Sequence, residues 1–219
     1  TGRSGNDVSA QSATFIRQQR VMNETPIHIF IYSIDYEKKF NAHIKMGGGG
    51  KYSASELSSS LELIEKPDTQ WQIDTAISNK LTMNESIRAA YGWANLDFEK
   101  ISINAGLRYE YTVTDVDYNT ASKEGVHRRF GNLFPVLLIK RKLWDAAGSV
   151  LELSYNRRIT RPPFSAIAPN VTFNDIYSIY LGNPLLKPAI TDKVQLQYQH
   201  KKYQLSLQFS KDKNQFIDN

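Results

Sequence analysis

The sequence predicts an all-β protein, an antiparallel up-and-down transmembrane β-barrel of about eight strands, and three observations carry that expectation. Apolar and polar residues alternate with period two over segments of about 9–13 residues, near the ~9–11 that a tilted strand needs to cross hydrocarbon. Short and long connections alternate along the chain, as in barrels that keep short periplasmic turns and long extracellular loops. Tyr36, Tyr52, Tyr109, Tyr111, Tyr155, Tyr198 and Tyr203 fall toward strand ends, where an aromatic girdle would sit.

Residues 1–26 lack any period and read as a loop or disordered N-terminal segment, and the barrel portion is expected over 27–219. In Ile27–Tyr36 one parity carries Phe30, Tyr32, Ile34 and Tyr36. A short turn at 37–40 leads to Asn41–Tyr52, with Ala42, Ile44, Met46 and Tyr52 opposite Asn41, His43, Lys45 and Lys51. Gly47–Gly50 interrupts that strand and suggests a bend, a bulge or close backbone approach. A nucleotide-binding glycine loop is the sharper reading, but the spacing and following helix it requires are absent.

Residues 53–83 read as a long polar connection whose apolar pieces, Leu61–Ile64 and Trp71–Ile73, could extend the strands or form a hairpin around Lys66, Pro67 and Asp68. Asn84–Phe98 is a strand whose apolar parity shifts between Tyr91 and Leu96, which suggests a bulge. Glu99 and Lys100 connect it to the cleanest strand, where Ile101, Ile103, Ala105, Leu107, Tyr109 and Tyr111 oppose Ser102, Asn104, Gly106, Arg108, Glu110 and Thr112. A loop at 115–129 precedes the strand Phe130–Leu143, in which Pro135 argues for an edge, a bulge or local opening. After a turn at 144–147, Leu151, Leu153 and Tyr155 oppose Glu152, Ser154 and Asn156. The largest loop, 159–189, leads to Lys193–Gln199, a turn at 200–202, and a last strand with Tyr203, Leu205, Leu207 and Phe209 on one face.

Composition narrows the function classes. No run approaches the ~20 apolar residues of a spanning helix, whereas a barrel's apolar positions are diluted by alternation. Net charge is +5, but the basic residues are scattered, so no nucleic-acid partner is expected. With no cysteine, thiolate metal sites, disulfides and cysteine nucleophiles are excluded together. His28, His43, His127 and His200 are dispersed without metal-ligand spacing, and there is no nucleophile elbow. No catalytic residue, metal or cofactor is therefore expected. Arg108 and Glu110 share the inward parity and could pair across the lumen with Lys45, His43 or Glu152; a solvated or structural ion-pair network is expected there rather than a cluster for hydrolysis or ion selection. Thr1–Ala13 has no apolar core of a signal peptide, so either one was removed or the chain begins inside a longer protein.

The segment between the last two hairpins is chemically marked. In Asn156–Pro163 (NRRITRPP), Arg157, Arg158 and Arg161 crowd a strand exit, and Pro162 and Pro163 remove two backbone donors there. Leu181–Pro188 (LGNPLLKP) supplies turn chemistry through Gly182, Asn183, Pro184 and Pro188. Arg157, Arg158, Arg161 and Lys187 read either as a cationic rim for an anionic ligand or lipopolysaccharide phosphate, or as anchors that bind loop carboxylates such as Asp175 and Asp192. Trp71, Phe173 and Tyr177 are loop aromatics that could contact a ligand or pack the loop on itself.

The run NRRITRPPF followed by APNVTFNDIYSIYLGNPLLKPAITD resembles the β-barrel part of TonB-dependent outer-membrane receptors, especially the Bacteroidetes-type outer-membrane β-barrel family. The GNPxLKP-like element, Gly182, Asn183, Pro184, Lys187 and Pro188, marks a place in the barrel wall and carries no chemistry. Weaker resemblance in NESIRAAYGWANLDFEKISINAGLRYEYT and HRRFGNLFPVLLIKRKL extends it over the chain from about Pro26. It implies a barrel of about 22 strands around a plug, of which this chain is a part. It also implies uptake of a scarce nutrient of siderophore, vitamin or glycan class, a Gram-negative outer-membrane location, contact with lipid and lipopolysaccharide, and energy from the TonB complex through parts not in this chain. A self-contained eight-stranded structural or adhesion protein and a soluble β-barrel small-ligand binder are the alternatives.

Overall fold

The computed structural model describes residues 18–66, 70–73, 78–118, 125–144, 148–167, 171–175, 178–183 and 185–214. Its strands are β1 (Gln18–Glu24), β2 (Ile27–Lys39), β3 (Ile44–Lys66), β4 (Gln72–Ile73), β5 (Asn79–Asp97), β6 (Ile101–Tyr118), β7 (Val126–Trp144), β8 (Ser149–Thr160), β9 (Val171–Asp175), β10 (Ser178–Leu181), β11 (Ala189–His200) and β12 (Tyr203–Lys213), with one short helix, α1 (Phe164–Ile167). All but β9 and β10 form one ten-stranded antiparallel sheet. β1 and β2 lie end to end along one side of β3, broken at Pro26, and β4 prolongs the line of β5. The sheet is thus a meander of eight lines, and the eight strands expected from the alternation are all present. It is not closed: among the described residues, β2 and β12 each pair on one side only.

The two faces follow from the ladders, since directly paired residues share a face. Tyr32, Tyr52, Arg88, Tyr111 and Gly131 form one cross-sheet row, and Lys38, Met46, Ala94, Ala105, Leu137, Tyr155, Val194 and Phe209 form another on the same face. That face is apolar over a band in every strand and carries the seven tyrosines expected in the girdle. Its aromatic and aliphatic side chains are largely exposed, among them Ile34, Tyr109, Leu153 and Leu207. The other face, at the same level, is mostly polar, with Asp35, Lys51, Asn104, Glu110, Asn132, Gln195 and Ser206, and its apolar exceptions include Tyr91 and Trp93 of β5 and Phe134, Val136 and Leu138 of β7. A soluble barrel would show the reverse, with the apolar face packed inside.

At the long-connection end the band stops at His28, Glu56, Arg88, Asp115, Arg129, Arg157, Asp192 and Lys211, the first polar residue of each strand in spatial order. In register this boundary drifts by eight residues, from the level of His28 on β2 to the level of Tyr36, where Lys211 of β12 lies. Across seven strand spacings of about 4.8 Å, at about 3.3 Å per residue, a level boundary requires strands tilted by about 40°, within the tilt that transmembrane barrels adopt.

Beyond the boundary the polarity exchanges. Leu57, Leu61, Leu63, Leu81, Met83 and Val116 have the parity of the polar face, yet they are buried, and Leu57, Leu81, Met83 and Val116 pack with Ile167 of α1. The outward positions become Glu56, Asn84, Asp115 and Asp117. This exchange corrects the expected loop at 53–83: β3 runs to Lys66 and β5 begins at Asn79, and the strands look like a loop in sequence because their apolar parity switches midway. It likewise shortens the expected loop at 115–129, since β6 extends to Tyr118 and β7 starts at Val126. Part of the presumed N-terminal loop is β1, paired with the far end of β3. The long connection at 159–189 contains α1 and a β9–β10 hairpin.

The bulge expected near Tyr91–Leu96 is absent, as the β3–β5 and β5–β6 registers run unbroken. The parity shift arises because Tyr91 and Trp93 face inward, where their rings occupy the space left by glycines. A Cβ on Gly47 would lie 2.6 Å from the Trp93 ring, and one on Gly49 would meet the Tyr91 hydroxyl at 2.9 Å. Close backbone approach, one of the three readings of Gly47–Gly50, is met at Gly48, where a Cβ would lie 2.7 Å from the Tyr91 carbonyl, and side-chain rings fill the space beside Gly47 and Gly49. Pro135 marks a local opening: β7 pairs with β6 along its length, but its pairing with β8 ends at Val136 and Asn156. The two strands part at the rim of the apolar band.

Candidate extracellular site and wall

Arg157, Arg158 and Arg161 leave β8 in different directions because side chains alternate along a strand. Arg157 points to the outward face and forms a two-pronged pair with Asp192 of β11, Nε to Oδ1 at 2.7 Å and Nη2 to Oδ2 at 2.9 Å. The Tyr155 hydroxyl donates to the same carboxylate at 2.8 Å. Asp192 lies beyond the apolar band, and the hydrogen bond from Arg157, then that from Tyr155, holds its carboxyl below the ordinary range despite the opposing effect of desolvation. Arg157 is therefore an anchor, and the expectation that it binds Asp192 is met. Arg158 is exposed on the opposite parity.

Arg161 turns inward. Its Nη2 donates to Glu110 Oε2 at 2.8 Å, and Glu85 lies 3.9 Å from its Nε. Glu110 is 7% exposed and also accepts from Arg108 Nε at 2.6 Å. The ion pairs form a structural network, but with other partners than Lys45, His43 and Glu152: Arg108 and Glu110 pair with each other, Lys45 pairs with Glu37 at 2.8 Å, and Glu152 pairs with Lys140 at 3.0 Å. His43 instead hydrogen-bonds the Asp97 carbonyl. The consequence is structural. Arg161 ties the chain leaving β8 to the inner wall, and Pro162 and Pro163 then deliver Phe164 and Ile167 onto the apolar patch of β5 and β6.

The GNPxLKP-like element closes the same segment. Asn183 N–H donates to the Ala166 carbonyl at 2.7 Å, and the Asn183 side chain and carbonyl accept from Leu185 at 2.9 Å and Leu186 at 3.1 Å. Arg128 of β7 donates to the Leu186 carbonyl at 3.1 Å. Gly182 joins β10 to this turn, and Pro184 lies outside the described residues. Lys187 and Pro188 line a cleft beside β7.

Among the described residues, the candidate ligand residues are thus not gathered at one place. Trp71 is half exposed at the far end of β3, with Arg20 and Lys66 at 5.8 and 6.0 Å from its ring centre. Phe173 pairs with Ile179 through the backbone of the β9–β10 hairpin, and Tyr177 lies outside the described residues. Among the described residues no group of acidic, histidine or cysteine side chains could hold a metal ion.

An apolar outward band, a polar inner face, about 40° of strand tilt and one rim of long connections together describe a wall built for a membrane. The family model described as "Outer membrane protein beta-barrel family" matches residues 3–219. The chain belongs to that family. Its place is the outer membrane, so the rim of long connections faces outward and the short turns face the periplasm. No curated protein matches the chain.

Proposed function

We propose that this family member forms part of the wall and extracellular mouth of a TonB-dependent receptor that imports a scarce nutrient. The observation that carries the reading is the pair of open edges. An unpaired strand edge cannot face hydrocarbon, because no water is there to satisfy its N–H and C=O groups. β2 and β12, whose outward residues are apolar from Phe30 to Tyr36 and from Tyr203 to Phe209, therefore need partners over that band in the membrane. Eight strands closing on themselves would leave an interior just filled by side chains, whereas further strands would widen it to a passage. The inward-folded segment held by Arg161 and Glu110 would then narrow that passage from outside, and energy would come from the TonB complex through parts not in this chain. Siderophore, vitamin and glycan classes all fit this reading.

Uptake by the full-length protein in outer membranes tests it, with and without an uncoupler of the inner-membrane proton gradient. Import that stops with the uncoupler supports the receptor reading, and import indifferent to it contradicts it. Closure is tested separately, since the chain has no native cysteine. Cysteines placed on β2 and β12, at Tyr32 and Leu207 among other pairs, are expected not to join under oxidation. Efficient joining within one molecule would favour the self-contained eight-stranded barrel.

A further inference from the structure

We propose that the cleft where β7 and β8 part binds the phosphate of an outer-leaflet glycolipid. The cleft has a volume of about 490 Å³ and is lined by His127, Arg129 and Phe130 of β7, Ile159 of β8, Lys187, and Ile190 of β11. It sits just beyond the outer boundary of the apolar band, where the phosphates of a glycolipid leaflet would lie. The proposal rests on the outer-membrane family, not on transport.

Charge complementarity selects the occupant. Arg129 gives its Nε to His127 Nε2 at 2.6 Å, and its terminal nitrogens make no bond among the described residues. His127 Nδ1 in turn bonds Asp115, so the nearby carboxylate is already engaged and the imidazole holds the guanidinium over the cleft. The other nearby carboxylate, Asp192, is held by Arg157. Lys187 makes no ion pair among the described residues, and Lys213 lies directly across from Ile190 on the outward face. Among the described residues, three cations with no uncommitted carboxylate between them favour a dianion such as phosphate.

The remainder of the lining distinguishes a lipid from a soluble anion. Ile159 and Ile190 are neighbours on the outward face, and Leu133, half exposed, begins the apolar band below the cleft on β7. A ligand with phosphate on Arg129 and Lys187 could thus lay its acyl chains along the outward face. The Arg157–Asp192 pair lies on the same face between the apolar band and the isoleucines and holds β8 to β11 at the cleft's lower margin.

Binding of bis-phosphorylated lipid A to the detergent-purified protein is the test, read against its dephosphorylated form and glucosamine 1-phosphate. The Arg129→Ala/Lys187→Ala variant is expected to bind phosphorylated lipid A at least tenfold more weakly. Removing the phosphates should weaken wild-type binding as much and make the variant's defect disappear. Lys202→Gln, at the opposite rim, should leave binding unchanged. Heat-modifiable gel migration checks folding, and Lys187→Gln alone serves if the double variant does not fold. The proposal is overturned if phosphate removal or the cleft variants leave affinity unchanged, or if Lys202→Gln weakens it equally. Tight binding of glucosamine 1-phosphate that lipid A does not displace would overturn the lipid assignment in favour of a soluble anion.

Discussion

Leu107→Arg is expected to destabilise the protein folded in lipid by about 2–4 kcal/mol, the cost of a cation at the middle of the hydrocarbon on a barrel's outer face. Leu107 lies midway along the outward run from Ile101 to Val113 and is half exposed in the free chain. Asn104→Arg, three residues earlier and on the inner face, should cost less than about 1 kcal/mol, because the inner face of a barrel faces water or polar side chains. Urea unfolding in lipid vesicles, followed by gel migration, reads both. Equal costs would mean that the two faces meet the same solvent, and the assignment of outside and inside would fall.

Glu110→Gln is expected to have the next largest effect. It removes the one negative charge between Arg108 and Arg161 at a site 7% exposed. Leaving a buried charge unpaired commonly costs about 3–5 kcal/mol. Both arginines keep about 30% of their side-chain surface exposed and Arg161 keeps Glu85 at 3.9 Å, so solvent and Glu85 relieve part of this and about 2 kcal/mol is expected. The loss should be local. Proteinase K should cut the segment 161–188 faster in the variant, while the β11–β12 hairpin retains its resistance. Unchanged cleavage would show that Arg161 does not hold the segment on the wall.

The strands that were legible in the sequence are those with one polarity pattern from end to end. β12 keeps Tyr203, Leu205, Leu207 and Phe209 on one parity, and β6 keeps one pattern for most of its length. β3 and β5 were legible only where they face lipid. Beyond the rim, Leu57, Leu81 and Met83 take the opposite parity because α1, not lipid, is their apolar partner, and a fixed-parity reading makes that change look like a loop. A sequence signal was available: two parities meeting without a glycine, proline, asparagine or aspartate between them at Tyr52 and Leu57.

The candidate site was legible only as a segment. The arginine cluster and the GNPxLKP-like element do belong to the largest extracellular connection, but their roles depend on partners fixed by register. Asp192 meets Arg157 because they are paired across β8 and β11. Glu110 meets Arg161 because β6 carries it to the level where the chain leaves β8. The cationic cleft was missed, although Pro135 signalled the opening that creates it, because Arg129 and Lys187 belong to segments far apart in the sequence.

The exchange of polarity between the two faces is the central claim, and a nitroxide scan along β6 tests it most directly. Single cysteines from Ile101 to Tyr118, spin-labelled in the lipid-embedded protein, would be read for collision with oxygen and with a water-soluble nickel chelate. Oxygen accessibility should peak at Ile103, Ala105, Leu107, Tyr109 and Tyr111. From Asp115 onward the outward positions should meet the nickel chelate instead, while labels at Thr114 and Val116 are shielded from both. Alternation that keeps one phase through Tyr118, or nickel access equal on both faces from Ile101 to Val113, would contradict a membrane wall whose faces exchange roles at its outer rim.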